Sequence, residues 1–556
     1  MGLGVWRPIG AVVLLAALVA LAGCGSSGSG NADPATLVPA TAPLYAGIAI
    51  KPSGGSKGNA ETAARKLTHL AEPYGSLAQA LLSSEGAQEQ FKRDIEPWVG
   101  NEAGVFITAL NAAALPQGAS SAQSLLEGGL TGTISSALGA AGFSKGSQGA
   151  IVFATSNVAS ARSFLEHRAR AQGAHAAGYR NVTYELTASG VAEGIVKNFA
   201  VIGSEAAMKS VIDTSLGGAA ITTAPGYTTP PKEAIASAYA KPEELTKAVH
   251  GSNGAAGHGV ALLGSLFVSA QWASLSVTPT ANSISLQGQV HSTSGTTPLF
   301  GTEGAHALGA LPGTSWLAAG VGDTGTNLSS ALALLGGVAS LGSSTVFSSF
   351  GGPAIESVFK TLESPKAKLQ QDFGSWAGSG GMFISGSGLF NLQAALVIAS
   401  KQPAASSAAV GKLGALMKNA GATVASTTIP GTDAAVSVKL QGFPAVIFIA
   451  NGQGANGQTK FILGLGQQSV QGALAPSSTL STSPAYTSAT STLGGGIEPS
   501  LIVEFPTLLG FLEGVGLTQS ESLTKIVPYL KSLGTLTAGA TSQGGVQHFR
   551  LVLGLA

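Results

Sequence analysis

The sequence predicts an α+β protein of two tandem similar domains, each with strands and interspersed helices on a mixed or mainly antiparallel sheet. Three observations lead to this class. The 556 residues exceed one ordinary domain, strand and helix patterns alternate along the chain, and the same motifs occur twice in one order. We place the first α+β repeat at 43–297 and the second at 298–556, after a signal peptide at 1–23 and a flexible tether at 24–42.

The first 23 residues are typical of an export signal. Arg7 and the α-amino group form a short positive region, and an apolar run follows over residues 9–21. This run is shorter than the about 20 apolar residues that span a bilayer, and it suits the central region of a signal peptide. It ends in Leu21-Ala22-Gly23-Cys24, which resembles the lipobox at which bacterial lipoproteins are acylated on cysteine and cleaved just before it.

Cys24 is the only cysteine in the chain. We predict that its thiol carries the lipid and that the protein lies at the extracytoplasmic face of the cell membrane. Two acyl chains hold a protein stably where one does not, so a diacylglyceryl anchor is sufficient. Residues 25–31, rich in Gly and Ser, would form the tether. A single cysteine excludes an intramolecular disulfide, so the folded part depends on its core.

The composition excludes strong electrostatic partners. Charged residues make up 10% of the chain, against about 25% in average globular proteins. Without Arg7 the 28 basic residues become 27, which equals the 27 acidic residues. Such a balance gives no electrostatic grip on nucleic acid. The hydrophobic content of 44% is sufficient for a sizeable core.

A tryptophan motif occurs twice with the same spacing. Asp94-Ile-Glu-Pro-Trp98-Val-Gly corresponds to Asp372-Phe-Gly-Ser-Trp376-Ala-Gly. We interpret Trp98 and Trp376 as structural anchors of each core, with stacking on a sugar or other ligand as the alternative. Asp94 and Asp372 are interpreted as local acceptors of backbone N–H groups at a turn or helix end. In this alignment Glu102 faces a glycine, so no acidic pair is duplicated.

The remaining motif pairs are strands and helices in one order. Leu44-Tyr45 and Ser315-Trp316 begin the first pair, which predicts that Tyr45 aligns with Trp316. Apolar residues at helical spacing follow segments 148–154 and 393–399. In segments 272–290 and 533–555 apolar and polar residues alternate, as in a β-hairpin. The paired segments are 44–50 and 315–321, 148–154 and 393–399, 198–203 and 460–466, and 272–290 and 533–555.

These motifs resemble a family of exported proteins, common in high-GC Gram-positive bacteria, that is catalogued only as a domain of unknown function. The resemblance covers most of the mature chain and implies no activity and no site residues. It is carried by Leu37-Val-Pro-Ala leading to Leu44-Tyr45, by the block from Asp94 to Gly100, by Asn181-Val-Thr-Tyr184 and by Phe199-Ala-Val-Ile-Gly203.

Short motifs for catalysis and cofactor binding lack their context. Ser56 and Ser144 each stand in a G-x-S-x-G pattern, but a hydrolase also needs a histidine and an acid, and none of the eight histidines lies in a recognisable motif. Gly452 to Gly457 fits G-x-G-x-x-G but joins two predicted strands as a hairpin, whereas a dinucleotide site needs a helix there. We therefore predict no catalytic residue and no cofactor.

Two further features of the sequence bear on binding. The histidines show no H-x-H or H-x-x-x-H pairing, so no metal site is predicted. Arg162, His167, Arg168 and Arg170 form the densest basic patch, which could meet anionic lipid or wall polymer. The favoured interpretation is the solvated face of an amphipathic helix.

Three functions remain open from the sequence. The first is a non-catalytic binding or scaffold protein of the cell envelope, anchored to the membrane by its lipid, with no nucleic-acid partner. The second is a carrier or receptor for an apolar lipid or small solute, motivated by the high apolar and low charged content. The third is an envelope serine hydrolase that uses Ser56 or Ser144.

Overall fold

A computed structural model describes residues 32–51, 54–68, 91–111, 147–250, 270–292, 301–325, 369–388, 390–443, 445–519, 524 and 527–556. Residues 24–31 of the predicted tether, which include Cys24, and Ser144 lie outside these residues. The described backbone falls into two compact units, one within residues 9–294 and the other from 295 onward. Each unit is described by itself.

The first unit is a sheet with helices on its two faces. Its strands are β1 Leu44–Ala49, β2 Val99–Asn111, β3 Gln148–Thr155, β4 His175–Tyr179, β5 Val182–Leu186, β6 Val191–Val196, β7 Phe199–Ser204, β8 Ala236–Ala240, β9 Val249–His250, β10 Ala270–Pro279 and β11 Ser283–Ser292. Apart from the short β9, they pair in the order β4-β5-β6-β7-β3-β2-β1-β8-β10-β11.

Two apolar cores lie in this unit. One contains Trp98, Phe153 and Leu165, and the other contains Tyr45 and Phe106. Alternation along the strands sends neighbouring side chains to opposite faces, which explains why both faces are covered. The helices are α1 Gly54–Thr68, α2 Val158–Ala171, α3 Glu205–Ser215 and α4 Pro242–Ala248, with short helical turns at Pro34–Leu37, Phe91–Ile95 and Ile221–Thr223.

The second unit has ten strands within the described residues. They are β12 Ser315–Val321, β13 Ala377–Ser385, β14 Gln393–Ser400, β15 Thr423–Ser426, β16 Thr432–Lys439, β17 Val446–Gln453, β18 Thr459–Leu465, β19 Pro499–Glu504, β20 Leu533–Gln543 and β21 Val546–Leu555. They pair in the order β15-β16-β17-β18-β14-β13-β12-β19-β20-β21. This is the strand order of the first unit, position for position.

Two apolar cores also occur in the second unit. One contains Leu308, Phe383 and Val470, and the other contains Trp376 and Leu413. The helices are α5 Thr302–Gly309, α6 Leu369–Phe373, α7 Pro403–Asn419, α8 Gln467–Leu474, α9 Pro484–Leu493, α10 Phe505–Gly514 and α11 Val527–Lys531, with 3-10 turns at Leu480–Thr482 and Leu517–Gln519. None of the helices in the described ranges is both long and apolar enough to cross a membrane.

The predicted fold class of two tandem domains, each with a sheet of its own, is wrong. The described strands belong to one hydrogen-bonded sheet, antiparallel except for the parallel pairing of β9 with the end of β2. Repeated motifs show that a strand pattern recurs, but they do not show how many strands one sheet contains.

Candidate functional site

A cluster of two carboxyl groups and two phenols lies in the first unit. Tyr45 and Glu102 come from the neighbouring strands β1 and β2, Asp33 from the start of the Pro34–Leu37 turn, and Tyr227 from the loop that precedes β8. The charges of the two acids act on both tyrosines. We treat these four residues, the acid–phenol cluster, as the candidate site.

Asp33 is fixed by its role as a helix cap. Its carboxylate accepts the backbone N–H of Ala35 at 2.8 Å, and Pro34 follows at the first position of the turn, where the missing N–H costs nothing. Burial raises the pKa of Asp33, and the hydrogen bond from Ala35 lowers it in part. The cap therefore fixes the carboxyl of Asp33 at the start of the turn.

Tyr45 is 2% exposed and lies along the sheet over two glycines. A Cβ atom at Gly104 would come within 2.7 Å of the Tyr45 ring, and one at Gly47 within 2.9 Å of its hydroxyl oxygen. Both glycines are thus required by the close approach of this ring. Burial, followed by the charges of Asp33, Tyr227 and Glu102, raises the pKa of Tyr45 well above its usual value.

Tyr227 is positioned by packing around Gly226. The backbone of Gly226 has φ of 75°, and a Cβ atom there would lie 2.0 Å from the Trp272 ring, so only glycine fits. The Tyr239 hydroxyl donates to the carbonyl of Pro225 at 2.7 Å, and the Tyr227 and Tyr239 rings are 5.9 Å apart. These contacts fix the loop and keep Tyr227 beside the acids.

Glu102 lies in an irregular stretch of β2. The register with β3 shifts between Val99 and Ala103, which marks a β-bulge. Burial, with a further contribution from the charge of Asp33, raises the pKa of Glu102 to about 7. A carboxyl that changes charge near neutral pH is unusual, and such groups concentrate at functional sites.

The second unit has neither a tyrosine nor a glutamate at the positions that correspond to Tyr45 and Glu102. Tyr45 pairs with Phe106, which pairs with Ala150; in the second unit Ala318 pairs with Phe383, which pairs with Ala395. Ala150 and Ala395 are the third residues of β3 and β14, so Ala318 occupies the position of Tyr45. The predicted alignment of Tyr45 with Trp316 is therefore wrong by two positions, because the motif was matched by residue type and not by strand pairing.

The β2 bulge also differs between the units. The shifted pairing runs from Val99 to Ala103 in β2 and from Ala377 to Gly380 in β13, so the first unit has one residue more. Ala103 therefore corresponds to Gly380, and the alignment of Glu102 with that glycine is wrong by one position. Because the same strand order forms without Tyr45 or the acid, the fold does not require either of them.

The two tryptophans of the repeated motif are interior side chains. Trp98 and Trp376 are each 1% exposed, and their indole N–H groups donate to the carbonyls of Asp94 at 2.8 Å and Asp372 at 2.9 Å. Trp98 lies 5.2 Å from the ring of Phe164. The indole N–H of a buried tryptophan needs an acceptor, and here the backbone of the motif itself provides it.

The two aspartate carboxylates make ionic contacts. Asp94 accepts from the guanidinium of Arg93 at 2.7 Å, and Asp372 accepts from the ammonium group of Lys412. The backbone carbonyl groups of the two aspartates accept the hydrogen bonds from the tryptophans. The motif is thus a local structural unit.

The remaining sequence motifs are the two G-x-S-x-G serines, the glycine-rich hairpin and the possible metal ligands. Ser56 lies in the first turn of α1, and Ser144 is outside the described residues. The hairpin predicted around Gly452 and Gly457 is confirmed, since β17 and β18 pair antiparallel across it. No group of three or more metal-ligating side chains occurs within the described ranges.

The basic patch contains a buried member that sequence reasoning misplaced. Arg168 is 4% exposed and its Nε lies 3.5 Å from the carboxylate of Glu193, which is 1% exposed. Arg170 pairs with Glu166 at 3.8 Å on the surface. A signal was present: Arg168 follows Ala161 and Leu165 at helical spacing, on the apolar face of α2.

The acid–phenol cluster was also missed. Glu102 is the only charged residue of β2, within a chain that is poor in charge, and this was the available signal. The approach of Asp33 and Tyr227 depends on contacts between distant segments, which no local pattern reports.

Comparison with known proteins places the chain in a family. Residues 8–537 match the model of a protein of unknown function (DUF3352), and the chain belongs to that family. No curated protein matches. Solved structures of TP0453 in crystal forms III and I are 12% and 11% identical, with TM-scores of 0.24 and 0.25, over 48% of this chain and 83% and 81% of theirs. Similarity at that level carries no argument about fold or function.

Proposed function

We propose that this protein is an extracytoplasmic lipoprotein, anchored to the cell membrane through Cys24, whose folded part binds a ligand without transforming it. The observation that carries the anchoring is the order of positive residue, short apolar run and Leu21-Ala22-Gly23-Cys24 at the start of the chain. The resemblance of this sequence to exported proteins of high-GC Gram-positive bacteria also supports an extracytoplasmic location.

The acid–phenol cluster supports a binding role. The fold of the second unit forms without Tyr45 and without an acid at the Glu102 bulge, so these groups serve something other than chain folding. Burying carboxyl and phenol groups is costly, and carboxyl groups with a strongly raised pKa, such as Glu102, concentrate at functional sites. The cluster offers acceptors and protons but not the nucleophile, base and orienting group of a hydrolase.

The test of anchoring is the substitution Cys24→Ala. We expect the variant to leave the membrane fraction, because it removes the thiol that accepts the lipid. Ser29→Ala, in the same tether, is the matched control and should remain with the membrane. Mass spectrometry of the N-terminal peptide should find a diacylglyceryl group on Cys24 in the wild type. A Cys24→Ala protein that still pellets with membranes after a high-salt wash would refute the anchor.

The binding role is tested by what the native protein retains. We expect a mass-spectrometric survey of molecules that co-purify with the wild type to find a small ligand that Glu102→Gln no longer retains. Glu233→Gln, at an exposed position, should retain it. Equal recovery from all three proteins would argue against the cluster as the binding site.

A further inference from the structure

The tip of the β13–β14 hairpin presents an aromatic ring to solvent. Phe390 is 105% exposed, against 58% for Leu216 and 36% for Val158, the other large apolar side chains that are exposed among the described residues. Transfer of apolar surface out of water is favourable and scales with the area transferred. A phenylalanine ring in this position therefore gains free energy when an apolar phase receives it.

The tip is held in one conformation by its own backbone. The Asn391 side-chain oxygen Oδ1 accepts the backbone N–H groups of Ser387 at 3.1 Å and of Gly388 at 2.8 Å. Gly386 has φ of 97°, and a Cβ atom there would lie 2.2 Å from the carbonyl oxygen of Asn391, so this position requires glycine. Phe390 thus projects from a fixed turn, and little conformational entropy is lost when its ring is bound.

The base of the tip is fastened to the interior of the second unit. The Trp316 indole N–H donates to the carbonyl of Gly386 at 2.8 Å, and the Trp316 ring lies 6.1 Å from the ring of Phe511 in α10. Trp316 and Phe511 are each 5% exposed. The aromatic residues at the base are therefore buried, and they support the one aromatic ring that is exposed at the tip.

The hairpin contains no charge that would oppose entry into lipid. Residues 373–400, which include both strands and the tip, contain no Asp, Glu, Lys, Arg or His. Beside the tip, a Cβ atom at Gly514 would lie 3.6 Å from the carbonyl oxygen of Ser387. The neighbouring Glu513 pairs with Lys531 at 4.0 Å, so these two charges balance. Charged side chains are costly to bring towards hydrocarbon, and the tip avoids this cost.

The size of the apolar surface favours lipid over a protein partner. A stable protein–protein interface buries about 800 Å² on each partner and has a polar rim around its apolar centre. One projecting ring on an uncharged turn provides too little surface for such an interface. Insertion into a bilayer has no such requirement, because the acyl chains adapt to the shape of a single side chain.

We propose that the β13–β14 tip inserts Phe390 into the boundary between the headgroups and the acyl chains of the membrane, as a second contact of the anchored protein. This inference rests on the proposed anchoring through Cys24 and names the part of the folded chain that meets the lipid. A single apolar group binds a membrane only weakly. Because the lipid anchor already holds the chain at the bilayer, insertion becomes an intramolecular step that one ring is sufficient to drive.

A free thiol at the tip provides the test, because Cys24 is the only cysteine of the chain and its thiol is consumed by the lipid. The purified lipidated protein with Ser387→Cys is labelled with a nitroxide and reconstituted in vesicles of equal amounts of phosphatidylcholine and phosphatidylglycerol. Electron paramagnetic resonance then measures collisions of the label with oxygen, which concentrates in the bilayer, and with a water-soluble nickel complex. We expect a higher oxygen-to-nickel collision ratio for this label than for one at Leu216→Cys, the exposed control position in the first unit.

Phe390→Ser, added to the Ser387→Cys protein, isolates the contribution of the ring. Burial of a phenylalanine ring favours the inserted state by about tenfold or more, so this substitution should lower the collision ratio to that of the Leu216 label. Phe390→Trp retains an aromatic ring of the kind that is enriched at membrane interfaces, and it should keep the ratio high.

The outcomes separate the tip from the anchor. A Ser387 label that is as accessible to nickel as the Leu216 label, in protein that floats with the vesicles, would overturn the insertion and leave the anchor intact. A high ratio that Phe390→Ser leaves unchanged would also overturn it, because the contact would then not depend on the ring. Protein that does not float with the vesicles would refute the anchor and this inference with it.

Discussion

A buried ion pair in the first unit corresponds to an apolar contact in the second. In both units the helix begins at the same distance along the chain from the start of the strand before it. In the first unit β3 begins at Gln148 and α2 at Val158, and in the second unit β14 begins at Gln393 and α7 at Pro403. Arg168 therefore corresponds to Leu413, which is 4% exposed as Arg168 is. One architecture thus accommodates a charged and an uncharged residue at one interior position.

The partner strand shows the same exchange. Glu193 pairs with Ile202, which pairs with Ile151, and in the second unit Ile449 pairs with Leu463, which pairs with Leu396. Glu193 thus corresponds to Ile449, which belongs to the same apolar core as Leu413. Desolvating two charges costs several kcal/mol per ion, and their attraction offsets this only in good geometry. The second unit therefore forms the same strand order with an apolar contact in place of the ion pair.

The largest effect is expected when this ion pair is broken. Arg168→Leu or Glu193→Ile alone leaves one buried charge without its partner, which should lower the free energy of unfolding by about 3–5 kcal/mol. The double variant, which installs the residues of the second unit, should regain most of that loss or exceed the wild type. Urea unfolding followed by circular dichroism provides the measurement.

The surface pair of the same helix is the control for that cycle. Arg170 and Glu166 are 76% and 45% exposed at their side chains, and removing either should cost about 0–1 kcal/mol. If the double variant loses as much free energy of unfolding as the two single variants together, the apolar pair of the second unit does not replace the ion pair in the first.

Local patterns explain what could be predicted and what could not. The strand–helix succession at Gln148 and Gln393 follows from periodicity, and the Trp98 and Trp376 motifs follow from spacing alone. Glu193 lies in a strand that is buried on both faces, so no alternation indicates which way it points. Glu102 lies at a register shift between β2 and β3, and the residue of the second unit that matches Tyr45 is known only from the strand pairing; both are set by long-range contacts. The acid–phenol cluster therefore emerges only from the folded chain.

The two tryptophan motifs, in contrast, are alike in both units. Trp98→Ala and Trp376→Ala each remove a fully buried ring and the indole donor to an aspartate carbonyl. Each variant should lose about 3–5 kcal/mol of stability, seen as a lower melting temperature. Phe390→Ala is the control, because that ring is fully exposed at 105% and should melt as the wild type does. Melting curves for both tryptophan variants that match the wild type would show that these rings do not anchor the cores.

The smallest effect is expected where the units differ in the acid–phenol cluster. The folded state raises the pKa of Glu102 from 4.5 to about 7 through burial and the charge of Asp33, with Tyr45 and Tyr227 alongside. A carboxyl with a raised pKa holds its proton more tightly in the folded state. Its contribution to stability is therefore complete below pH 4.5 and is lost as the pH rises through about 7.

Glu102→Gln should remove that pH dependence, because glutamine resembles the protonated acid at every pH. At pH 5 the variant should match the wild type, and at pH 8.5 it should be more stable by on the order of 2 kcal/mol. Asp33→Asn, which retains a capping side chain, should shift the wild-type transition to lower pH by removing the charge that acts on Glu102. Urea midpoints across pH 5 to 8.5 provide the measurement, with Glu233→Gln as the exposed control. A Glu102→Gln protein with the wild-type pH profile would mean that Glu102 is ionised in the folded state throughout, and the cluster would then contain no acid poised near neutral pH.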